Sequence, residues 1–479
     1  MSKYTASDSP RLPGSSTRSH RGRVPDPEGA HYLGSMNTTP THMGFPPEVF
    51  ARRRRAIQDA LGQAVMVLPS ATVTHRSRDT EHRYRPDSEL FYATGVTQPD
   101  SVAVVVGGTE PRWILFVPER DPEVELWSGS RVGPEDAGTL YGADDTQPIS
   151  QLDELLPAIL QEGRRVFFRL GRGGMPEHLV LDSLAAARAR GPRRGTGPRA
   201  IVDPGEILDD LRLVKDEHEI AHLRAAAWIT MEGHRAAFGA AAPGVGEWVV
   251  EAAVESTFRE AGASGPGFPT IVGSGANACI LHYVDNHHTL EAGDLVLVDA
   301  GAERELYSGD VTRTFPTSGR FSPEQRDVYE VVEAARVAAL GAAAPGVSMS
   351  DVHGRAVRVI TEGLVALGVL TGNVETLVEE EAYKPFYPHQ TSHWLGLDVH
   401  DPGDYARDGV SRALEPGMAF TVEPGLYLRP GAIGVPPRLA GIGVRIEDDV
   451  VVTSDGCMNL TESLPTSAAA MEEMCGGAT

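Results

Sequence analysis

Two periodicities alternate along this chain: short unbroken apolar runs of strand length, and longer stretches with apolar residues at helical spacing. From Pro46 to about Val202 they interleave. Pro47 to Leu61 reads as a helix whose basic run Arg52–Arg55 forms a solvated face. Ala64–Leu68, Ser101–Val106 and Arg112–Val117 read as strands, and Leu152 to Gln161 as a helix despite its internal proline. This predicts a smaller α/β domain over 43–202. A second domain begins near Asp203-Pro204. Asp216 with Glu219 forms a capping signal for a helix reaching about Phe238, with Ile220, Leu223, Ala227 and Met231 on one face. An Ala-Ala-Pro-Gly-Val turn follows at 241–245, then a helix over Glu247–Glu260, a Gly-rich segment at 262–277, and strands. The same order returns about a hundred residues later: a helix from Pro323 to about Ala342, Ala-Ala-Pro-Gly-Val at 343–347, a helix from Ser350 to Leu367, and strands. The recurrence predicts an internal repeat within a domain spanning 203–464. Residues 1–42, rich in Ser, Pro, Gly, Thr and Arg, read as a disordered arm, and 465–479 as a flexible tail.

Composition narrows the function classes. Length (479 residues), 41% hydrophobic and 23% charged residues are those of a globular chain of two or three domains. Its apolar runs are far shorter than the roughly 18 residues of a membrane span. A net charge of −23 argues against nucleic acid or anionic membrane as a main partner, because phosphate is bound by basic surface. Cys279, Cys457 and Cys475 are widely separated and lack C-x-x-C spacing, so neither a disulfide framework nor a zinc ribbon is expected. A reducing, cytoplasmic location fits.

The candidate chemistry lies in acids at strand ends. Leu295–Val298 is a continuous apolar run that carries Asp299 into the interior, and Asp310 follows eleven residues on, in a segment able to fold back antiparallel. A buried carboxylate needs a cation, a hydrogen-bond network or a raised pKa. If the halves are equivalent, the second should carry acids too. Met418–Val422 leads to Glu423 and Gly443–Ile446 leads to Glu447, while His389, His393 and His400 cluster between the two Asp of the first half and these two Glu, in a chain with only 16 histidines. Four carboxylates and an imidazole form a hard, oxygen-rich donor set that suits Mn²⁺, Co²⁺ or Fe²⁺ and, less exclusively, Zn²⁺. Four acids exceed what one divalent ion needs. Two ions about 3.5 Å apart, bridged by carboxylates and sharing a hydroxide, would make a hydrolytic centre.

At these residues the chain resembles the proline-specific aminopeptidases, the aminopeptidase P branch of the pita-bread metallopeptidases. The carriers are Ile271-Val-Gly-Ser-Gly with Ile280-Leu-His-Tyr283, Leu297-Val-Asp-Ala-Gly301, Gly309-Asp-Val-Thr-Arg-Thr-Phe-Pro316, Ser392-His-Trp-Leu-Gly-Leu-Asp-Val-His-Asp401, Thr421-Val-Glu-Pro-Gly-Leu-Tyr427 and Gly441-Ile-Gly-Val-Arg-Ile-Glu-Asp-Asp449. The amino-terminal domain matches through Arg78-Asp79, Tyr84-Arg-Pro-Asp87, Phe91-Tyr92 and Arg120-Asp121 followed by Trp127. The resemblance implies an α/β (α+β) architecture: a pita-bread catalytic domain with an internal pseudo-twofold repeat, preceded by a smaller α/β domain.

It implies metal ligands at Asp299, Asp310, His393, Glu423 and Glu447, with Asp310 and Glu447 bridging two divalent ions, manganese first among the candidates. Glu423 would shuttle the proton. His282 and His400 would hold the substrate and the oxyanion that develops on its carbonyl. His389 and Arg445 would shape the site for proline, with Tyr427 as their hydrogen-bonding neighbour. The expected reaction is hydrolysis of the bond between an amino-terminal residue and a following proline by a metal-bridging hydroxide, on peptides with proline in second position. The expected assembly is a homodimer or homotetramer in which Trp127 reaches a neighbouring site. A prolidase confined to Xaa-Pro dipeptides is the nearest rival, and a non-catalytic binding module on the same fold comes from another class. The intact ligand set opposes the module. A plain ion pair for Arg445, a packed strand aromatic for Tyr427 and a core histidine for His282 are the structural alternatives.

Overall fold

The computed structural model of the protein describes residues 43–190 and 197–476. The expected arm at 1–42 lies outside the described residues. The first domain is built on a six-stranded sheet with the spatial order Asp145–Pro148, Arg112–Val117, Val102–Val106, Ala64–Pro69, Arg165–Phe167 and Ala200–Val202. Its two antiparallel pairings join the three apolar runs, and the outer pairings are parallel. These strands are apolar throughout because both faces are covered. Val65, Val67, Val104 and Phe116 face one core, while Met66, Leu68, Val105 and Leu115 face the other. Ile207 and Leu208 of the helix Gly205–Leu213 join the second of these, so this core extends beyond the expected boundary at 202.

The basic run of the first helix is a correction. Arg53 and Arg54 are buried, at 4% and 6% exposure. The Arg53 guanidinium lies 4.2 Å from the Tyr92 ring centroid and pairs with Glu219 of the second domain at 3.2 Å, and that of Arg54 lies 4.5 Å from the Trp113 ring. Flat, weakly hydrated guanidinium groups stack on aromatic faces, and this lets two charges enter an interior that the pattern assigned to solvent.

The repeat is present in the backbone. The helix Glu217–Ala240 opens on the Asp216/Glu219 capping box and turns into Glu247–Glu260; Pro323–Ala342 opens on a Ser322/Gln325 box and turns into Met349–Ala366. In the first turn Gly244 N–H donates to the Leu290 carbonyl, and Leu290 N–H returns to Val245. In the second, Gly346 donates to Leu414 and Leu414 returns to Val347. Both Ala-Ala-Pro-Gly-Val turns are therefore zipped to the strand region in the same register. Where a flexible tail was expected from 465, Ala468–Gly476 forms a helix with Met471 fully buried and Glu472 paired with Arg326 at 2.6 Å. Apolar Ala468 and Met471, three apart, supply the short buried stripe that docks this helix.

Leu295–Ala300 and Val311–Pro316 form the antiparallel pair predicted around Asp299, with Asp299 opposite Thr312 and, across its other edge, Ile271. Gly301 permits the close turn between them, since a Cβ there would sit 1.7 Å from the Gly309 carbonyl oxygen. Behind the hairpin, Arg313 and Asp448 are both 0% exposed and 2.7 Å apart. Arg336, Thr461 and Asn459 also donate to Asp448, at 2.6, 2.8 and 3.0 Å. Burial alone would raise the Asp448 pKa, but Arg313 and Arg336 hold it below the ordinary carboxylate range. Arg313 also donates to the Glu447 carbonyl at 2.6 Å, so the pair ties the first half's hairpin to the second half's strands. Replacing Arg313 by Met should destabilise the protein by about 3–5 kcal/mol, the cost of removing one partner of a buried ion pair. A lowered urea midpoint would register this, whereas a wild-type midpoint would show that the pair does not lock the halves.

Candidate metal centre

Each of the five candidate ligands is set by a backbone hydrogen bond to another segment. Asp299 projects from inside its strand. Asp310 lies just before the returning strand instead of within it, and its N–H is held by both carboxylate oxygens of Asp449, at 3.1 and 3.2 Å. Glu447 occupies the break between the strands Ile442–Arg445 and Asp448–Val452. Its N–H donates to the Thr312 carbonyl at 3.1 Å, and its Oε2 accepts the Thr312 hydroxyl at 2.6 Å. Glu423 follows the strand Ala419–Val422 and donates its N–H to the Thr391 carbonyl at 2.8 Å. His393 donates its N–H to the Thr421 hydroxyl, accepts the Thr421 N–H at its carbonyl, and points Nδ1 at the Trp394 carbonyl, 3.0 Å away. A carbonyl only accepts, so in the neutral ring Nδ1 carries the proton and Nε2 is left as a donor for a metal. That Nε2 lies 3.2 Å from Asp310 Oδ2 and 3.8 Å from Glu423 Oε1. Ligand atoms of Asp310, His393 and Glu447 all lie within 4.8 Å of one another.

The electrostatics are those of acids crowded out of water. Burial first, then the charges of Asp299 and Asp449, push the Asp310 pKa well up. Burial, then Asp310 and Glu423, do the same to Glu447. Burial lifts Glu423 to about 7 although His393 and Arg445 oppose it, and lifts Asp449 to about 8. The fixed counter-charge is Arg445, at 4% exposure. It donates to Asp299 Oδ2, to the Tyr427 hydroxyl at 3.0 Å and to the Thr312 hydroxyl at 3.1 Å. Asp299 Oδ1 remains buried without a hydrogen-bond partner. An orphaned carboxylate oxygen, an imidazole with its lone pair turned inward and mutually repelling acids fit divalent cations held by oxygen and nitrogen donors.

The other expected residues divide into two groups. His389 is half-buried: its Nδ1 donates to the Gln390 carbonyl, its Nε2 lies 2.8 Å from the Tyr427 hydroxyl, and loss of hydration, then Arg445, lower its pKa to about 3. The result is a directed chain in which Arg445 donates to Tyr427 and Tyr427 donates to a neutral His389. Tyr427 is 2% exposed. The Arg445 ion pair with Asp299 and its place in this chain coexist. His282 and His400 are exposed. His400 packs edge-on against His393, with ring centroids 4.4 Å apart, and loss of hydration, then His393 and His282, lower its pKa. His400, Asp398 and Arg85 border two cavities of about 460 and 350 Å³ beside the amino-terminal domain. Trp127 is 89% exposed on the helix Pro122–Ser128, which buries none of its residues. Asp449, Thr312 and Thr391 escaped the sequence reading. The doubled acid after Glu447 was the available signal for Asp449, whereas a threonine one residue from an acid or histidine carries none.

The sequence profile of Metallopeptidase family M24 matches residues 221–454, and that of the Aminopeptidase P, N-terminal domain matches residues 50–167. The Xaa-Pro aminopeptidase of Escherichia coli (strain K12) is 41% identical over 419 residues, covering 87% of this chain and 94% of that protein. The solved Pseudomonas aeruginosa aminopeptidase PepP superimposes with a TM-score of 0.87 at 43% identity, covering 91% and 99% of the two chains. A zinc-substituted Escherichia coli aminopeptidase P in complex with product gives 0.87 at 38% identity, with 91% and 99% coverage. With identity of this level running through both domains and the acid-rich centre intact, the chain belongs to metallopeptidase family M24, among the Xaa-Pro aminopeptidases with their pita-bread catalytic domain.

Proposed function

We propose that the protein hydrolyses the peptide bond between an amino-terminal residue and a following proline, as a metal-dependent aminopeptidase. The observation that carries this is the convergence of buried carboxylates and His393 Nε2 on one point, in a chain so similar to Xaa-Pro aminopeptidases. Asp299, Asp310, His393, Glu423 and Glu447 would hold two divalent ions, manganese first among them, with Asp310 and Glu447 shared. When bound, such ions lower the pKa of water and polarise the scissile carbonyl.

The chain's own groups do the rest. Glu423, whose Oε1 lies 3.8 Å from His393 Nε2, is the group placed to take a proton and return it to the leaving nitrogen. Its Oε2 lies 3.5 Å from His389 Nδ1, on the side away from His393. His282 and His400 are placed by this reading at the substrate carbonyl, where ring N–H groups meet developing negative charge. His389, fixed by Tyr427 and Gln390, offers a rigid flat wall for the proline ring. Proline has no amide hydrogen, so this wall needs no acceptor for one. The cavities bordered by His400 leave room for a peptide that continues past proline. A homodimer or homotetramer accords with exposed Trp127, and a cytoplasmic location accords with the free cysteines and with the absence, among the described residues, of a helix long and apolar enough to cross a membrane.

The manganese-loaded protein should release the first residue from Arg-Pro-Pro-Gly-Phe, read by mass spectrometry, and chelation should stop it. Asp310→Ala should lower kcat/KM by more than about 100-fold, beyond the range of changes to outer partners of a metal. Cleavage of Gly-Pro alone would transfer the assignment to prolidase.

Metal loading should also couple to pH. In the metal-free protein Asp449 and Glu423 bind protons more tightly when folded, at about 8 and about 7, than an unfolded carboxyl does. Their ionisation therefore costs stability progressively as pH rises from the unfolded value through the folded one. Manganese should raise the melting temperature more at about pH 8 than at about pH 6, and binding should release protons. Equal gains at the two pH values in thermal melts would contradict this.

A further inference from the structure

The loop that presents His389 and His393 is fastened at its midpoint by a residue from outside the strand system. Thr391 is fully buried. Its N–H donates to His353 Nδ1 at 3.2 Å, and its hydroxyl lies 2.8 Å from the same nitrogen. The Tyr387 hydroxyl, also fully buried, is 2.7 Å from Thr391 Oγ1. The Thr391 carbonyl receives the Glu423 N–H at 2.8 Å. His353 belongs to the helix Met349–Ala366 in the second half of the repeat.

The hydrogen positions follow from elementary donor and acceptor rules. An amide N–H can only donate, so Nδ1 of His353 bears no proton and the ring is the neutral Nε2–H tautomer. Thr391 then donates its hydroxyl to His353, and Tyr387 must donate to Thr391. Burial, then the charge of Lys384, lower the His353 pKa, in accord with a neutral ring. Every polar group of Thr391 is thereby committed. His389 stands two residues before it and His393 two residues after it, and Tyr387 packs edge-on against the His389 ring with centroids 4.9 Å apart.

The geometry points to His353 as a positioning residue for the reaction: acting through Thr391, it fixes the segment between the proline-facing His389 and the metal-facing His393, and with it the backbone of Glu423. This rests on the aminopeptidase reading above. His353 touches neither substrate nor metal in this arrangement. Its contribution is an acceptor at Nδ1, and any side chain that presents an acceptor there should substitute for it. A helix histidine that merely filled space would be replaceable by a ring without an acceptor.

The test uses the full chain, loaded with manganese. His353→Phe keeps a flat ring and removes the acceptor, while His353→Asn retains an oxygen near the position of Nδ1. His353→Phe should lower kcat on an Xaa-Pro peptide about 10-fold to 100-fold, the effect expected when buried donors lose their partner, with a smaller change in KM. His353→Asn should recover kcat to within about threefold of wild type, and adding Thr391→Val to His353→Phe should cost little more, because both remove the same link. Wild-type kcat in His353→Phe, or an equal loss in the Asn and Phe variants, would overturn the proposal. If His353→Phe does not fold, Thr391→Val alone carries the test, with a kcat loss expected and wild-type kcat overturning it. Manganese affinity by titration calorimetry separates this inference from the proposed activity. His353→Phe should weaken it about tenfold and Asn restore it, through His393 and Glu423, whether or not the peptide is a substrate. Unchanged affinity in the Phe variant would overturn the positioning role and leave the aminopeptidase reading standing.

Discussion

The structure depends on keeping several carboxylates together where little water reaches them. Asp299, Asp310, Glu447 and Asp449 are all nearly or fully buried, and Glu423 lies beside them. In such a setting repulsion is strong and hydration is missing, so the acids would separate unless the chain held each one in place. One guanidinium, Arg445, is the fixed positive charge within hydrogen-bonding distance of Asp299. The remaining compensation must arrive as protons or as metal. This is why the same residues read both as groups with raised pKa values and as ligands: both describe a site built for more positive charge than its side chains supply.

What holds the acids is the repeat. Thr312 of the first half receives the Glu447 N–H and donates its hydroxyl to the Glu447 carboxylate, while Asp449 of the second half receives the Asp310 N–H. Arg313 crosses in the same direction to Asp448 and to the Glu447 carbonyl. Three of the candidate ligands, Asp299, Asp310 and Glu447, are therefore held by partners from the opposite half, while Glu423 and His393 are held by Thr391 and Thr421 within the second. A shift of one half against the other would break several bonds at once, in a region where an unmade hydrogen bond costs about 1–3 kcal/mol. Rigidity at the centre thus follows from how the halves interlock and does not require any ligand residue to be rigid by itself.

Much of this was legible in the sequence, and what was not has a physical reason. Apolar runs ending in an acid gave Asp299, Glu423 and Glu447 because burial of a strand and burial of its last residue are one event, and the repeated Ala-Ala-Pro-Gly-Val turn gave the two halves. The position of Asp310, just outside its strand, is a difference of one residue, within the usual looseness of strand ends. The supporting groups were not legible. Thr312, Thr391 and Asp449 act through long-range bonds, and nothing in a threonine's neighbours along the chain says which segment will fold against it. Arg53 and Arg54 misled for a related reason: four consecutive arginines look solvated until distant aromatic rings and Glu219 are brought to them. The final helix was missed because its stripe is only Ala468 and Met471, too short to register as periodicity.

The same reasoning connects the centre to the amino-terminal domain. His400 is followed by Asp401, a buried acid that accepts from Arg212 at 2.6 Å and Lys215 at 3.0 Å, and its pKa falls below the usual range because those cations outweigh its burial. Arg212 lies in the last turn of the helix Gly205–Leu213, whose Ile207 and Leu208 pack in the first domain's core, and Lys215 donates its backbone N–H to the Gly417 carbonyl of the second domain. The backbone beside His400 is thus referenced to the segment where the two cores meet. Gly396 allows this approach, since a Cβ there would stand 2.5 Å from the Asp401 carboxylate. A first domain that served only as a cover could rest on loops and surface pairs. Here its linker ends in two cations on a buried acid, one residue from a histidine that touches His393. The seating of the first domain and the setting of His400 therefore share one cluster of charges, and neither can shift at this point without disturbing the pairing of Asp401.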